Sequence, residues 1–524
     1  MSRPLFLDDG LDLAGLHAVA VERRPLALGE AARARMAESS DTLARLVGER
    51  RRIYGVTTGY GPLARHYVTP EQAATLQRNL IYHLATGVGR PYSPVHTRAI
   101  MAARASSLAR GRSGIGAATF DLLLRCLEAD LLPVVPEMGT VGASGDLTPL
   151  AHIALVLIGE GEAMWRGERM PAAAALRAAG LAPAALGHKE GLALVNGTSA
   201  MTGVAAVNAV RARRAGWLAL RLAALHAEVM GGHAEAWDPR FGQARPHPGQ
   251  RLAHAALGRL SAGTARLQAQ IQPPPRLPDD PDRDGVFADR ILPQDPYTIR
   301  CAPQLLGAVF DVMDFHDRTV EIELNSVTDN PLVFAEDGAV LHGGNFFGQH
   351  VAFASDALCS ATIQIVVHAE RCLARLCDPA ANGGLPAFLQ QGPVGLNSGL
   401  MGAQVTASAL VAELRTKAVP ASIQSIPTNN ANQDVVPLGT IAARKTSECL
   451  DLCWLVLAIH GLALAQACEL RGGLGSDGAG FSPQGRRLAE RIRATVGFLD
   501  RDRPLSAEIQ ALAADLEATD WSAV

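Results

Sequence analysis

Gly139–His152 reads GTVGASGDLTPLAH, and it divides the chain into what precedes a helix and what builds one. Its first half is the end of a Pro/Gly-rich loop, PVVPEMGTVGASGDLT over 133–148, in which no helix can persist. Its second half has the marks of a helix start, with Thr148 as N-cap and Pro149 at the first helical position before LAHIALVLIG. A second start of this kind is Asn196-Gly197-Thr198-Ser199, followed by an Ala/Leu-rich run to about residue 231. Each start presents unpaired backbone N–H groups and the positive end of a helix dipole.

Working outward, apolar residues three and four apart predict helices through 70–132, and again over 303–320, 346–377, 402–417 and 437–471. Between them, 325–345 is turn-rich and suits a short hairpin, and 272–284, QPPPRLPDDPDRD, is the clearest linker. Tyr54–Ala64, YGVTTGYGPLA, is a pliable loop broken by Gly55, Gly59 and Gly61. The expected domains are 1–200, bearing the glycine-rich loop and this flexible segment, 201–475, a central bundle of long helices, and 476–524, peripheral helices.

Composition agrees. The 524 residues are 48% hydrophobic but only 5% aromatic, with Ala and Leu dominant, which favours helices over sheets. With 48 basic and 51 acidic residues the net charge is -3, so there is no basic excess to neutralise phosphates, and nucleic acid is not an expected partner. At 19% charged the chain is too apolar to be mainly disordered. The eight cysteines form no CxxC, and the close pairs Cys372/Cys377 and Cys449/Cys453 lack a matching His or Cys cluster, so buried free thiols are expected. Acids near the N-terminus speak against a secretory signal. The uncharged stretch Leu452–Cys468 is shorter than a membrane span needs and reads as a buried helix. These points predict a cytoplasmic chain with no membrane partner. Phosphate loops, HExxH and GxSxG elbows are absent.

An Ala-Ser-Gly triplet alone is weak, since at usual residue frequencies it arises by chance in roughly one chain in five of this length. The whole of GTVGASGDLTPLAH is specific, and it resembles the corresponding segment of the aromatic amino acid ammonia-lyase and aminomutase family. Five further segments match that family in order: YGVTTGYG (54–61), VNGTSAM (195–201), QDPYTIR (294–300), ELNSVTDNP with GGNF (323–331 and 343–346), and NQDV (432–435).

The resemblance implies a mainly α fold, a large helical protein with a central bundle of long helices like histidine and phenylalanine ammonia-lyases, and small loop-rich or short-hairpin regions. It implies that Ala143-Ser144-Gly145 cyclises into 4-methylidene-imidazol-5-one (MIO), with no metal or nucleotide. The residue types suit that chemistry. Gly145 lets its amide nitrogen bend onto the Ala143 carbonyl carbon, Ala143 leaves the approach open, and Ser144 loses its hydroxyl as water. It further implies that Tyr54 is the base and that Asn196, Tyr297 and Arg300 assist, Arg300 by clamping the substrate carboxylate. Gly61, His83, Leu84, Gln294, Phe346, Asn432 and Gln433 would contact substrate. A homotetramer with active sites shared between subunits is implied as well.

Substrate preference in the family is read at a pair that falls here at His83-Leu84, within NLIYHLATG. A His-Leu pair resembles tyrosine ammonia-lyases and tyrosine aminomutases. An imidazole can hydrogen-bond a phenolic OH, while Leu84 packs on the ring. Gln433, where histidine lyases carry glutamate, speaks against histidine. The expectation is tyrosine ammonia-lyase activity, L-tyrosine to trans-4-coumarate and ammonia, with slower use of L-phenylalanine. The alternatives are a tyrosine 2,3-aminomutase, a phenylalanine or histidine ammonia-lyase, or a helical binding protein that has lost catalysis. Tyr60 and Pro437 stand where many relatives have Phe and Ser.

Overall fold

The computed structural model describes residues 3–269, 274, 276, 293–473 and 480–523. Apart from Pro274 and Arg276, the expected linker at 272–284 lies outside the described residues. Among the described residues there are eighteen α-helices and only short strands, so the fold is mainly α as expected.

The residues group into two compact units. The first comprises Met1–Val210, Phe315–Leu358 and Val419–Ser447; the second comprises Arg211–Asp314, Cys359–Ala418 and Glu448–Val524.

In the first unit, the helix Pro94–Ala109 starts where Ser93 accepts the His96 N–H and Pro94 needs no donor. Every residue from Thr97 to Ala109 is buried, which explains its lack of a polar face. Its two buried arginines are paired. Arg98 binds Asp130 at 2.5 Å, and Arg104 donates to the Ala193 carbonyl. The helix Ala73–Leu84 is one-sided instead. Ala73, Gln77, Leu80 and Ile81 face the core at helical spacing, which leaves His83 exposed and Leu84 half-buried at the edge of that core. The strands lie in this unit. The expected hairpin is present as Leu332–Phe334 against Ala339–Leu341, closed by Gly338 at φ +64°. Leu131–Pro133, Glu162–Trp165 and Glu168–Pro171 form a small antiparallel meander.

In the second unit, the Glu228 carboxylate receives the N–H and hydroxyl of Ser482, which caps the helix Pro483–Thr495. Two helices, Gln349–Cys377 and Gly439–Leu470, are long and apolar enough to cross a membrane. Their most apolar windows are 67% and 78% buried against the rest of the chain, the behaviour of core helices. Leu452–Cys468 lies within a 32-residue helix, in keeping with the helical spacing over 437–471. The cysteines are free and seven of the eight are buried, as the composition implies.

Candidate active site

The helix after the glycine-rich loop is Leu147–Leu157, two residues longer at its start than the sequence suggests, and Asp146 rather than Thr148 is its N-cap residue. The Thr148 hydroxyl instead donates to the Gly139 carbonyl. The reason is that the loop does not hang free of the second helix start. Asp146 N–H donates to Gly197 O at 2.7 Å, and Gly197 N–H donates to Ser144 O at 3.2 Å. The 143–146 segment is therefore paired with 196–197 like two short parallel strands. Gly145 adopts φ +66°, and a Cβ there would lie 2.1 Å from the Gly197 backbone. Only glycine fits, both sterically and conformationally.

Asp146 fastens the two helix starts together. Its carboxylate accepts the Met201 N–H at 2.6 Å on the helix Ser199–Met230, and it also accepts the Thr440 hydroxyl. Complete burial raises this carboxyl to about 6, with the hydrogen bonds from Thr440 and Met201 pulling the other way. The sequence reading missed Asp146, although an acid directly after Ala-Ser-Gly and directly before a helix was the available signal.

Asn196 is buried and fixed. Its amide donates to Asp329 Oδ1 at 2.9 Å and to Asn330 O at 3.1 Å. Asp329 in turn receives Lys189 Nζ at 2.5 Å, both side chains being fully buried, and Lys189 also donates to Ser113 O. Burial lowers the Lys189 ammonium, while Asp329 opposes that shift. Asp329 belongs to the ELNSVTDNP segment, so the role of that segment is to hold Asn196. Lys189 left no mark in the sequence, because its partner is 140 residues away.

The flexible segment lies across the same region. The Tyr54 phenol oxygen accepts the Gly61 N–H at 2.9 Å, and its ring meets Tyr60 edge-on at 6.3 Å. Gly55 and Gly61 sit at φ +67° and +51°, the conformations this tight return requires. Gln77 ties the segment down by donating from one amide to Gly55 O and the Tyr60 hydroxyl, while its carbonyl accepts the Leu192 N–H. The Tyr60 hydroxyl is thus a tether, and burial keeps it protonated by raising its phenol far above the usual range. Pro437, the other departure, packs beside Gly142, with Leu438 N–H donating to Val141 O.

These elements enclose a cavity of about 680 Å³ within the first unit. It brings together Tyr54, Gly61, His83, Leu84, Ala143, Ser144, Asn196, Phe346, Asn432 and Gln433, with Gly145 next in the chain. Tyr60, Leu80, Leu147, Leu192 and Phe347 supply apolar wall, and Asn330 and Asn429 add polar groups the sequence reading did not name. His83 Nδ1 lies 3.0 Å from the Asn79 carbonyl one turn back. A carbonyl only accepts, so Nδ1 carries a proton, and in the neutral ring Nε2 keeps its lone pair. The Gln433 amide oxygen is turned back on its own loop, accepting the Thr428 hydroxyl at 2.7 Å.

Three expected residues are elsewhere. Gln294, Tyr297 and Arg300 belong to the second unit, where Gln294 and Arg300 line another cavity with His233 and Gln304. Asp295 anchors their segment by accepting the His233 N–H at 2.6 Å, and Ile299 O accepts the Trp237 indole. Tyr297 is left 70% exposed, with the Arg300 guanidinium stacked 4.4 Å over its ring. Such an exposed aromatic-arginine pair has the composition of an interface hot spot.

Comparison with known proteins gives a consistent result. A family described as "Aromatic amino acid lyase" matches residues 11–494. A tyrosine ammonia-lyase of Cereibacter sphaeroides is 50% identical over 513 residues, covering 97% of each chain. A tyrosine ammonia-lyase of Cupriavidus metallidurans is 45% identical, covering 88% of this chain and 86% of its own. Among solved structures, the tyrosine aminomutase of Streptomyces globisporus superposes with a TM-score of 0.92 at 35% identity, covering 99% of this chain and 98% of that one. The chain belongs to the aromatic amino acid lyase family.

Proposed function

We propose that this protein is a tyrosine ammonia-lyase that converts L-tyrosine to trans-4-coumarate and ammonia, with lesser activity on L-phenylalanine. The observation that carries the reading is a single cavity holding the Ala143-Ser144 peptide, Tyr54, Asn196 and the His83-Leu84 pair. The Gly145 backbone, in a conformation and space that exclude a Cβ, fits the cyclisation that would make MIO from residues 143–145. When formed, MIO supplies an electrophile that takes the substrate amine and turns nitrogen into a leaving group.

The remaining work falls to side chains. His83 Nε2 accepts the substrate phenol OH, and Leu84 and Phe346 pack on its ring. Tyr54 removes a β-proton, with the Gly61 N–H aimed at the oxygen that becomes negative. Asn196, immobilised by Asp329, lines the cavity beside the reacting centre. Two helix N-termini fastened by Asp146 favour negative charge developing there. Asn432 and Gln433 orient the amine end.

Gln294, Tyr297 and Arg300 complete the site from neighbouring subunits of a homotetramer, Arg300 clamping the carboxylate with its planar fork. The exposure of Tyr297 supports this, as do exposed apolar residues such as Val394, Leu396 and Ile423. A cytoplasmic location is supported by the free state of all eight cysteines. The structural likeness to tyrosine aminomutases keeps β-tyrosine formation as the second reading. The test is product analysis from L-tyrosine, L-phenylalanine and L-histidine in competition, together with the intact mass of the protein. The expected result is mainly 4-coumarate and a mass short by two waters, restored in Ser144→Ala. Predominant β-tyrosine would favour the mutase, and a full mass in the active protein would remove the MIO assignment.

A further inference from the structure

Away from the cavity, the second unit buries a cluster of metal-ligand side chains. His226 comes from the helix Ser199–Met230, Cys372 from Gln349–Cys377 and His460 from Gly439–Leu470. One ligand atom from each can be chosen so that all lie within 4.8 Å of one another. All three residues are 0–1% exposed. The His226 and His460 rings are 5.8 Å apart and tilted by 60°. Among the described residues, none of their four ring nitrogens has a hydrogen-bond partner.

That is an unusual debt for a protein interior. A neutral imidazole has one donor and one acceptor, and a buried polar group without a partner is costly. Core histidines ordinarily settle this with a carbonyl, as the neighbouring His368 does by donating to Thr298 O at 2.8 Å. His226 and His460 do not. A neutral imidazole is the form that coordinates metal.

We propose that His226, Cys372 and His460 form a structural site for a borderline-soft divalent cation, zinc above all. Two imidazoles and a thiolate suit zinc, which imposes no geometry of its own. The three ligands come from three different helices, so the ion would staple these helices together. Tetrahedral ligands at about 2.0–2.3 Å from zinc are separated by about 3.3–3.6 Å, so side-chain rotations of about 1 Å close the cluster. On binding, the Cys372 thiol gives up its proton to solvent and becomes the thiolate ligand. The cation drives that loss. His368 Nε2 lies 3.7 Å from Cys372 Sγ and belongs to the surroundings of the site, orienting the sulfur.

The test uses the full-length protein expressed with zinc supplementation and dialysed against EDTA, with metal content read by mass spectrometry of the elements. About one zinc per chain is expected in the unmodified protein, falling at least tenfold in both Cys372→Ser and His460→Asn. The same cells grown with cobalt should yield protein with a sulfur-to-cobalt charge-transfer band that Cys372→Ser lacks. Should either variant fail to fold, X-ray absorption of the unmodified zinc protein decides, since the site requires one sulfur at about 2.3 Å with nitrogens at about 2.0 Å. Zinc below about a tenth per chain, both as isolated and after refolding with zinc, overturns the proposal. So does metal content equal in the unmodified protein and both folded variants, or a zinc shell without sulfur.

Discussion

His83→Phe isolates the substrate preference in one hydrogen bond. His83 is the penultimate residue of the helix Ala73–Leu84, and its Nδ1–H is spent on Asn79 O, so in the neutral ring Nε2 can only accept. Phenylalanine in its place leaves the tyrosine hydroxyl facing a phenyl edge. A buried hydroxyl without a partner costs about 1–3 kcal/mol. His83 is exposed in the single chain, so water can partly substitute, and the lower part of that range, about 1–2 kcal/mol, applies. The same range describes the penalty that L-phenylalanine suffers in the unmodified protein, where it strands Nε2, and which the variant removes. The two effects add to about 2–4 kcal/mol in the ratio of specificities, a shift of about 30- to 900-fold toward phenylalanine at 1.36 kcal/mol per decade. Competition between the two amino acids, with coumarate and cinnamate separated chromatographically, reads this ratio directly. His83→Gln, which keeps an acceptor, should fall between. A ratio that moves by less than about threefold, or a parallel loss on both substrates, refutes the assignment of Nε2 to the phenol.

Tyr54→Phe should lower kcat by about 10²–10⁴ with KM within a few fold, since it removes a proton acceptor and leaves the ring; an unchanged kcat would exclude Tyr54 as base. Co-expressing Tyr54→Phe with Arg300→Ala should restore about a quarter of the activity, because in random mixed tetramers a site drawing these residues from different chains is intact that often. No recovery in verified mixed tetramers would place both residues in one chain's site. Lys189→Met removes the ammonium paired with the buried Asp329 carboxylate and should cost about 3–5 kcal/mol in denaturant unfolding, partly recovered by adding Asp329→Asn. A loss under about 1 kcal/mol would show that the pair is not needed. Asp146 holds a proton to about 6 when folded, against a usual 3.8, so between those values the native state is protonated where the unfolded chain is not. Stability from this residue therefore rises as pH falls from 6 toward 4, by an amount on the order of 3 kcal/mol, and Asp146→Asn should flatten the slope in that window. A slope identical in the two proteins would contradict the buried carboxylate.

What was legible in the sequence was whatever the chain does with near neighbours. Helical spacing placed the long helices within a few residues, the Gly-rich runs marked the loops, and the short hairpin followed from 325–345. Ten of the named site residues share one cavity because ordered motif segments constrain backbone placement strongly. The start of the helix at Leu147 was missed because a tertiary pairing with Gly197, 50 or so residues on, extends it past the Thr-Pro signal. Lys189 was missed for the same reason: a buried charge is explained by its partner, and Lys189 meets Asp329 only through the fold. The histidine-cysteine cluster shows this most sharply. His226, Cys372 and His460 are each an unremarkable residue on an apolar helix, and spacing along one helix cannot reveal a site assembled across three. Gln294, Tyr297 and Arg300 mark a further step of the same kind. Their segment is firmly anchored through Asp295 and Ile299, yet Tyr297 is turned outward with Arg300 stacked upon it. A backbone that holds a large aromatic in solvent so rigidly gains nothing within its own chain, and the gain must come from whatever surface that ring is built to meet.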